Sequence, residues 1–226
     1  MLIFVHMTRL EIACFNEASA LKTIHENIDR IELCEDYSLG GITPKISTLQ
    51  KIKTDSSIPV FVMIRPRGND FCYSEKEFEL MKQQIIDFKN AGADGFVFGI
   101  LTDDNKVEIN KNKELVELAD GLPCTFHRAF DRVENWQEAL EDVISCGFST
   151  ILTAGGKKTA MEGLEILKLM EKEAKNRISI LVGGGVRSSN AKELSKNFKY
   201  LHSACVQKNS EEVDVEEIRK IKNKIN

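Results

Sequence analysis

Eight short runs of β-branched and apolar residues recur along this chain, each followed by a longer stretch whose apolar residues fall at helical spacing. No other feature restricts the fold as much. The alternation is the signature of repeated βα units, which pair into a parallel sheet. The strands read as residues 9–14, 29–34, 59–65, 94–98, 122–127, 149–153, 178–183 and 199–203. Eight such units with short connections can close on themselves, whereas an open doubly wound sheet would need a switch point and usually a glycine fingerprint after its first strand. No GxGxxG stands there, so no nucleotide cofactor is signalled. The expected fold is α/β, a single-domain (β/α)8 TIM barrel, for which 226 residues are sufficient. Residues 8–226 read as the barrel domain and residues 1–7 as an N-terminal extension.

Capping signals place several helices. Ser74 with Glu77 three residues on forms a capping-box pattern ahead of Phe78, Met81 and Ile85, and Thr159 with Glu162 repeats it. Asn16 and Ser188 or Ser189 read as simpler N-caps. Trp136, Leu140 and Val143 mark the apolar stripe of a fifth helix, and Ile218, Ile221 and Ile225 that of a last helix that seals the eighth strand.

Composition narrows the partners. With 31 Lys and Arg against 35 Asp and Glu, the net charge of −4 provides no basic field for nucleic acid. The apolar opening is shorter than a signal-peptide core and lacks a cationic leader, so a cytoplasmic protein without a membrane partner is expected. The six cysteines stand singly at Cys14, Cys34, Cys72, Cys124, Cys146 and Cys205, without CxxC spacing, and read as free thiols.

Strand alternation gives the sharpest functional inference. In a barrel, successive strand residues face the lumen and the helical shell in turn, and a charge on the shell side would be buried against apolar helices at a cost of several kcal/mol. Glu11, Glu32, Cys34, Arg65, His127 and His202 should therefore point inward, toward the carboxyl-terminal mouth where barrel enzymes place their chemistry. Each has a purely structural explanation when taken alone. As a cluster of titratable groups in one cleft, they point to function. Cys14 and Cys124 fall on the shell side, Cys72 lies in the loop after the third strand, and Cys146 and Cys205 read as packed or exposed thiols. Gly155 and Gly156 follow the sixth strand and Gly183, Gly184 and Gly185 the seventh, where backbone N–H groups could hold an anion or simply turn the chain tightly.

The strings IELCEDYSLGGITP, VMIRPRGNDFCYS, GADGFVFGIL, TFHRAFD and ILTAGG, in this order and spacing, resemble the motif set of the CutC family from about Thr8 to Cys205. The resemblance implies a cytoplasmic TIM-barrel protein associated with copper homeostasis and expected to self-associate as a homo-oligomer. It also implies mouth residues at Glu11, Glu32, Cys34, Arg65, Arg67, Asp70, His127, Arg128, Asp131 and His202. Asn69 departs from the family's usual glycine and Ala154 from a common serine.

Two functions follow from these residues. The first is copper binding, Cu(I) preferring soft ligands such as Cys34 with His127 and His202. The alternative is an enzyme acting on a small phosphate- or carboxylate-bearing metabolite. Arg65 and Arg128 would clamp the anion with help from Arg67 and the glycine loops, Glu11, Glu32, His127 or His202 would transfer a proton, and Asp131 would orient a neighbour.

Overall fold

The computed structural model describes residues 7–207 and 210–226. Its strands are β1 (Arg9–Cys14), β2 (Arg30–Leu33), β3 (Val60–Met63), β4 (Gly95–Phe98), β5 (Cys124–Phe126), β6 (Thr150–Thr153), β7 (Ser179–Val182) and β8 (Tyr200–Ser203). All pair in parallel, each with its neighbours in chain order, and β8 returns to β1 to close the barrel. Helices α1 (Glu17–Thr23), α2 (Ile46–Asp55), α3 (Glu75–Asn90), α4 (Ile109–Leu118), α5 (Trp136–Ser145), α6 (Leu164–Ala174), α7 (Ala191–Ser195) and α8 (Val215–Ile225) alternate with the strands. Residues 1–6 of the expected extension lie outside the described residues. Thr8 is buried, and its hydroxyl donates to the Phe198 carbonyl at 3.2 Å.

Two separate apolar clusters show the inward–outward alternation. Between sheet and helices lie Leu10, Ile12, Ile31, Leu33, Val60, Val62, Phe96, Phe98, Phe126 and Ile151, joined by the inner faces of the helices. Inside the barrel lie Ala13, Phe15, Cys34, Phe61, Met63, Val97 and Val206. The polar strand residues Glu11, Glu32 and His202 belong with this second set by parity, and register fixes their heights. Glu11 stands opposite Arg30 on one side and His202 on the other, while Glu32 stands opposite Ala13.

Local signals set most boundaries. Ser74 and Glu77 form the full reciprocal capping box of α3, and the Asn16 side chain accepts from Ser19 N at the start of α1. Two expected caps differ. The Thr159 hydroxyl does accept from Glu162 N at 3.3 Å, but this closes a turn, and α6 begins only at Leu164 after Gly163. Ser188 does not cap α7. Its N–H and hydroxyl both donate to the Glu217 carboxylate of α8, and α7 starts after Asn190. At Ser188 a tertiary partner outcompetes the local signal, whereas at Thr159 the local bond forms without starting the helix.

Phe126 links the shell to the site. Its ring is fully buried, meets Phe148 edge-on at 5.2 Å and Phe130 at 6.3 Å, and immediately precedes His127. Phe126→Ala is expected to lower the unfolding free energy by about 3–5 kcal/mol in urea denaturation. A loss below about 1 kcal/mol would show that the surrounding shell collapses into the space.

Candidate functional site at the barrel mouth

A cavity of about 290 Å³ opens at the carboxyl-terminal ends of the strands. Of the expected residues, Glu32, Arg65, His127, Arg128, Gly184 and His202 line it, together with Phe15, Tyr37, Phe71 and Arg187. Two residues become visible only in the fold, Arg187 on the cavity and Arg30 beneath it. Arg187 follows the β7 glycines, where strand alternation no longer applies. Arg30, the inward residue at the very start of β2, becomes important only through its register with Glu11.

The floor is a connected row of ionisable groups. The Arg30 guanidinium stacks on the Phe61 ring at 4.0 Å and donates from Nε to the Glu11 carboxylate. The other Glu11 oxygen lies 2.7 Å from His202 Nδ1. Burial alone would raise the Glu11 pKa, but Arg30 and His202 outweigh it and hold the carboxyl below its ordinary value. An ionised carboxylate only accepts, so His202 Nδ1 carries a hydrogen and Nε2 is the atom turned toward Glu32, 3.9 Å from its Oε2. For His202, burial opposes the charged ring, while the Glu32 and Glu11 carboxylates prevail and raise its pKa. Among the described residues, Glu32 has no cation of comparable closeness. Burial pushes it up to about 7, against the pull of His202, and its Oε1 has no hydrogen-bond partner. The Cys34 thiol lies 3.6 Å from Glu32 Oε2, and burial together with that carboxylate raises its pKa well above the ordinary value.

The opposite wall is cationic and aromatic. Phe71 stacks with the His127 ring at a centroid distance of 4.8 Å and lies beneath the Arg65 guanidinium at 4.8 Å. His127 Nδ1 accepts from Ala129 N at 3.3 Å, which leaves the hydrogen on Nε2, and Nε2 has no partner. Burial first, and Arg65 second, lower the His127 pKa to about 3, so the ring is neutral. Gly99 makes room for it: a Cβ there would stand 2.9 Å from Nδ1. At position 69 the chain takes φ 72°, in the left-handed region that asparagine tolerates better than most residues with a side chain.

Several expected site residues are engaged elsewhere. Glu11 lies one layer below the mouth and does not line the cavity. Cys34 faces the lumen but is covered by Phe15 and Gly41. The expected copper set of Cys34, His127 and His202 is not brought together. Among the described residues, the group whose donor atoms converge is Glu11, Glu32 and His202, whereas His127 stands beside a guanidinium that repels a cation. Arg67 is no free anion contact, because Glu77 at 2.7 Å and Asp70 at 2.9 Å occupy it. Asp131 accepts from Arg128 Nε at 2.7 Å, the Thr153 hydroxyl at 2.6 Å, and the N–H groups of Ala154 and Gly156 at 3.0 Å. The chain's own carboxylate thus fills the anion seat expected at the β6 loop, and Gly155 N is taken by Thr153 Oγ1. Gly183 N donates to the Thr153 carbonyl, leaving Gly184 and Gly185 as the cavity-lining members of the expected glycines. Cys72 points to Asp103 rather than into the mouth, and Cys146 and Cys205 are buried.

A (β/α)8 barrel with a polar, partly aromatic cavity at its carboxyl-terminal mouth is the class that fold and site define. The family model for CutC matches residues 8–207. The human copper homeostasis protein cutC homolog is 43% identical over 185 residues, covering 82% of this chain and 68% of the human protein. A CutC family protein of Vibrio campbellii is 41% identical over 194 residues, covering 85% and 78%. The crystal structure of CutC from Streptococcus agalactiae superposes with a TM-score of 0.83 at 30% identity, covering 88% of this chain and 99% of that one. The chain belongs to the CutC family.

The opposed shifts of His127 and Glu32 can be separated by pH. An unfolded histidine titrates near 6.5, whereas the folded ring resists protonation down to about 3, so His127 makes stability fall as pH drops through this window. Glu32 does the reverse: its raised folded pKa makes stability rise as pH drops from about 7 toward 4.5. His127→Gln should therefore gain stability relative to wild type on acidification from pH 6 to 4, by up to about 1.4 kcal/mol per pH unit, and Glu32→Gln should lose it. Unfolding free energies measured across this range check both signs; parallel profiles for all three proteins would contradict the assignment.

Proposed function

We propose that this protein takes part in copper homeostasis in the cytoplasm and binds a copper ion at the floor of the barrel mouth, with His202 Nε2 and Glu32 as ligands and Cys34 as the third. The observation that carries the reading is the Glu32–His202 pair. It borders a cavity, has an unpartnered carboxylate oxygen, and has its imidazole aimed by a second carboxylate, Glu11. A carboxylate–histidine arrangement of this kind orients metal-binding imidazoles generally. Glu11 is spent on Arg30 and His202, so it serves as the orienting group rather than as a ligand. Imidazole suits copper in either oxidation state, and the neighbouring thiol adds the soft donor that Cu(I) prefers. Copper is cargo in this reading, not a resident cofactor.

The names of the curated relatives support the copper assignment, and six free cysteines suit a reducing compartment. Among the described residues, no helix is long and apolar enough to cross a membrane. Self-association into a homo-oligomer remains part of the proposal.

Because Cys34 is held as a protonated thiol, its engagement releases a proton, and Cu(I) affinity is expected to rise with pH. Anaerobic Cu(I) titration against a chromogenic chelator tests the site. His202→Ala and Cys34→Ser should each weaken binding by at least tenfold, and Glu11→Gln by about 10- to 100-fold through loss of the orienting contact. Unchanged affinity and stoichiometry in both His202→Ala and Cys34→Ser would remove this site.

A further inference from the structure

The wall opposite the copper floor contains a cation that the fold does not neutralise. Arg65 is only 5% exposed, yet among the described residues no carboxylate lies within salt-bridge distance of it. Its Nη1 donates to the carbonyls of Leu39 and Gly41 at 2.9 and 3.0 Å, its Nη2 to Asn69 O at 3.5 Å, and its Nε–H is buried without a partner. A fixed buried charge left uncompensated costs several kcal/mol, and a purely structural arginine would normally bring its own carboxylate. The molecule does this elsewhere: Arg30 has Glu11, Arg67 has Asp70 and Glu77, and Arg128 has Asp131.

The groups around Arg65 share its character. His127 presents a neutral ring whose Nε2–H has no acceptor, and it lines the same cavity. Arg187 also lines it, with Nη2 donating to the Val206 carbonyl at 2.7 Å. Arg128 lies at the rim with its guanidinium against Gly184, where a Cβ would come within 3.3 Å of Cζ. Three guanidinium groups and one imidazole donor thus border a cavity whose one carboxylate is Glu32. Phe71 packs against both Arg65 and His127 and holds their planes from one side.

We infer that this wall is a binding site for a small metabolite carrying an oxyanion, either a carboxylate or a phosphate, held by Arg65 Nε–H, His127 Nε2–H and the Arg187 guanidinium. Guanidinium groups match the planar or tetrahedral oxygens of such groups bidentately. At about 290 Å³ the cavity suits a compact molecule, whose uncharged part would rest on Phe15, Tyr37 and Phe71. The site stands on the segments that follow β3, β5 and β7, whereas the proposed copper ligands stand on β2, just after it and on β8, so the inference does not depend on the copper reading.

The test is calorimetry and thermal unfolding of the full chain with inorganic phosphate and with malonate as separate probes, at ionic strength matched with chloride. One or both should bind and raise the melting temperature, and the preferred probe identifies the oxyanion as phosphate or carboxylate. Arg65→Met and Arg187→Met should each weaken that binding at least tenfold. Arg65→Met also removes the donors to the Leu39 and Gly41 carbonyls, so its fold is checked by circular dichroism and unliganded melting temperature; Arg187→Met, at a less buried position, provides an independent reading. His202→Ala should weaken Cu(I) binding while leaving the anion affinity in place, which separates this site from the copper floor. No stabilisation beyond chloride by either probe, or equal affinity in wild type and both arginine variants, would overturn the inference.

Discussion

Glu11 bridges Arg30 and His202 across three adjacent strands, and the arrangement of the mouth depends on that contact. Parallel register places the three side chains at one height, β2 and β8 flanking β1 in the closed barrel. A carboxylate in the lumen would be costly alone. Between a guanidinium and an imidazole it is held ionised, and as an obligate acceptor it dictates which nitrogen of His202 carries the hydrogen. Ala13 lies in the next layer up, opposite Glu32, and offers only a methyl group there. His202 and Glu32 therefore approach each other above Glu11 and form the polar floor of the cavity.

The mouth divides its charges into two kinds. Some are settled internally, most completely at Asp131, whose carboxylate ties Arg128 to the backbone of the β6 loop. These contacts hold the loop after β6 and the short turn after β5 in place, and they occupy the N–H groups that a ligand could otherwise use. Others are left unpaired: among the described residues, three of the five buried side-chain polar atoms without partners, Glu32 Oε1, Arg65 Nε and His127 Nε2, are on residues that line one cavity, the other two being the Tyr73 hydroxyl and Thr125 Oγ1. Buried polar groups in folded proteins are almost always satisfied, so this concentration marks the mouth as the place where the fold gives up stability for binding.

Alternation along the strands was enough to send Glu32, Arg65, His127 and His202 inward, because the side-chain period of two holds in every strand. It could not rank them by depth. Glu11 and Cys34 obey the same parity yet end below or behind the cavity, Glu11 because of its register and Cys34 because Phe15 and Gly41 cover it. Nor could it say that His127 and His202 are different chemical objects. One ring is neutral beside Arg65, the other is drawn toward protonation by two carboxylates, and these neighbours come from strands far apart in the chain. The helix caps repeat the lesson, with Ser74 acting locally as its spacing suggests and Ser188 captured by Glu217 from α8.

The sequence by itself determined the eight βα units, the closure of the barrel and the set of polar residues turned toward its axis, since these follow from periodicities of two and 3.6 that each segment carries internally. The tertiary structure alone decided which of those residues are neutralised, which are covered and which remain open to a ligand. Those outcomes depend on strand register and on loops packed across the mouth, where interaction energies fall off over a few ångströms and the partners are separated by as many as 191 positions in the chain.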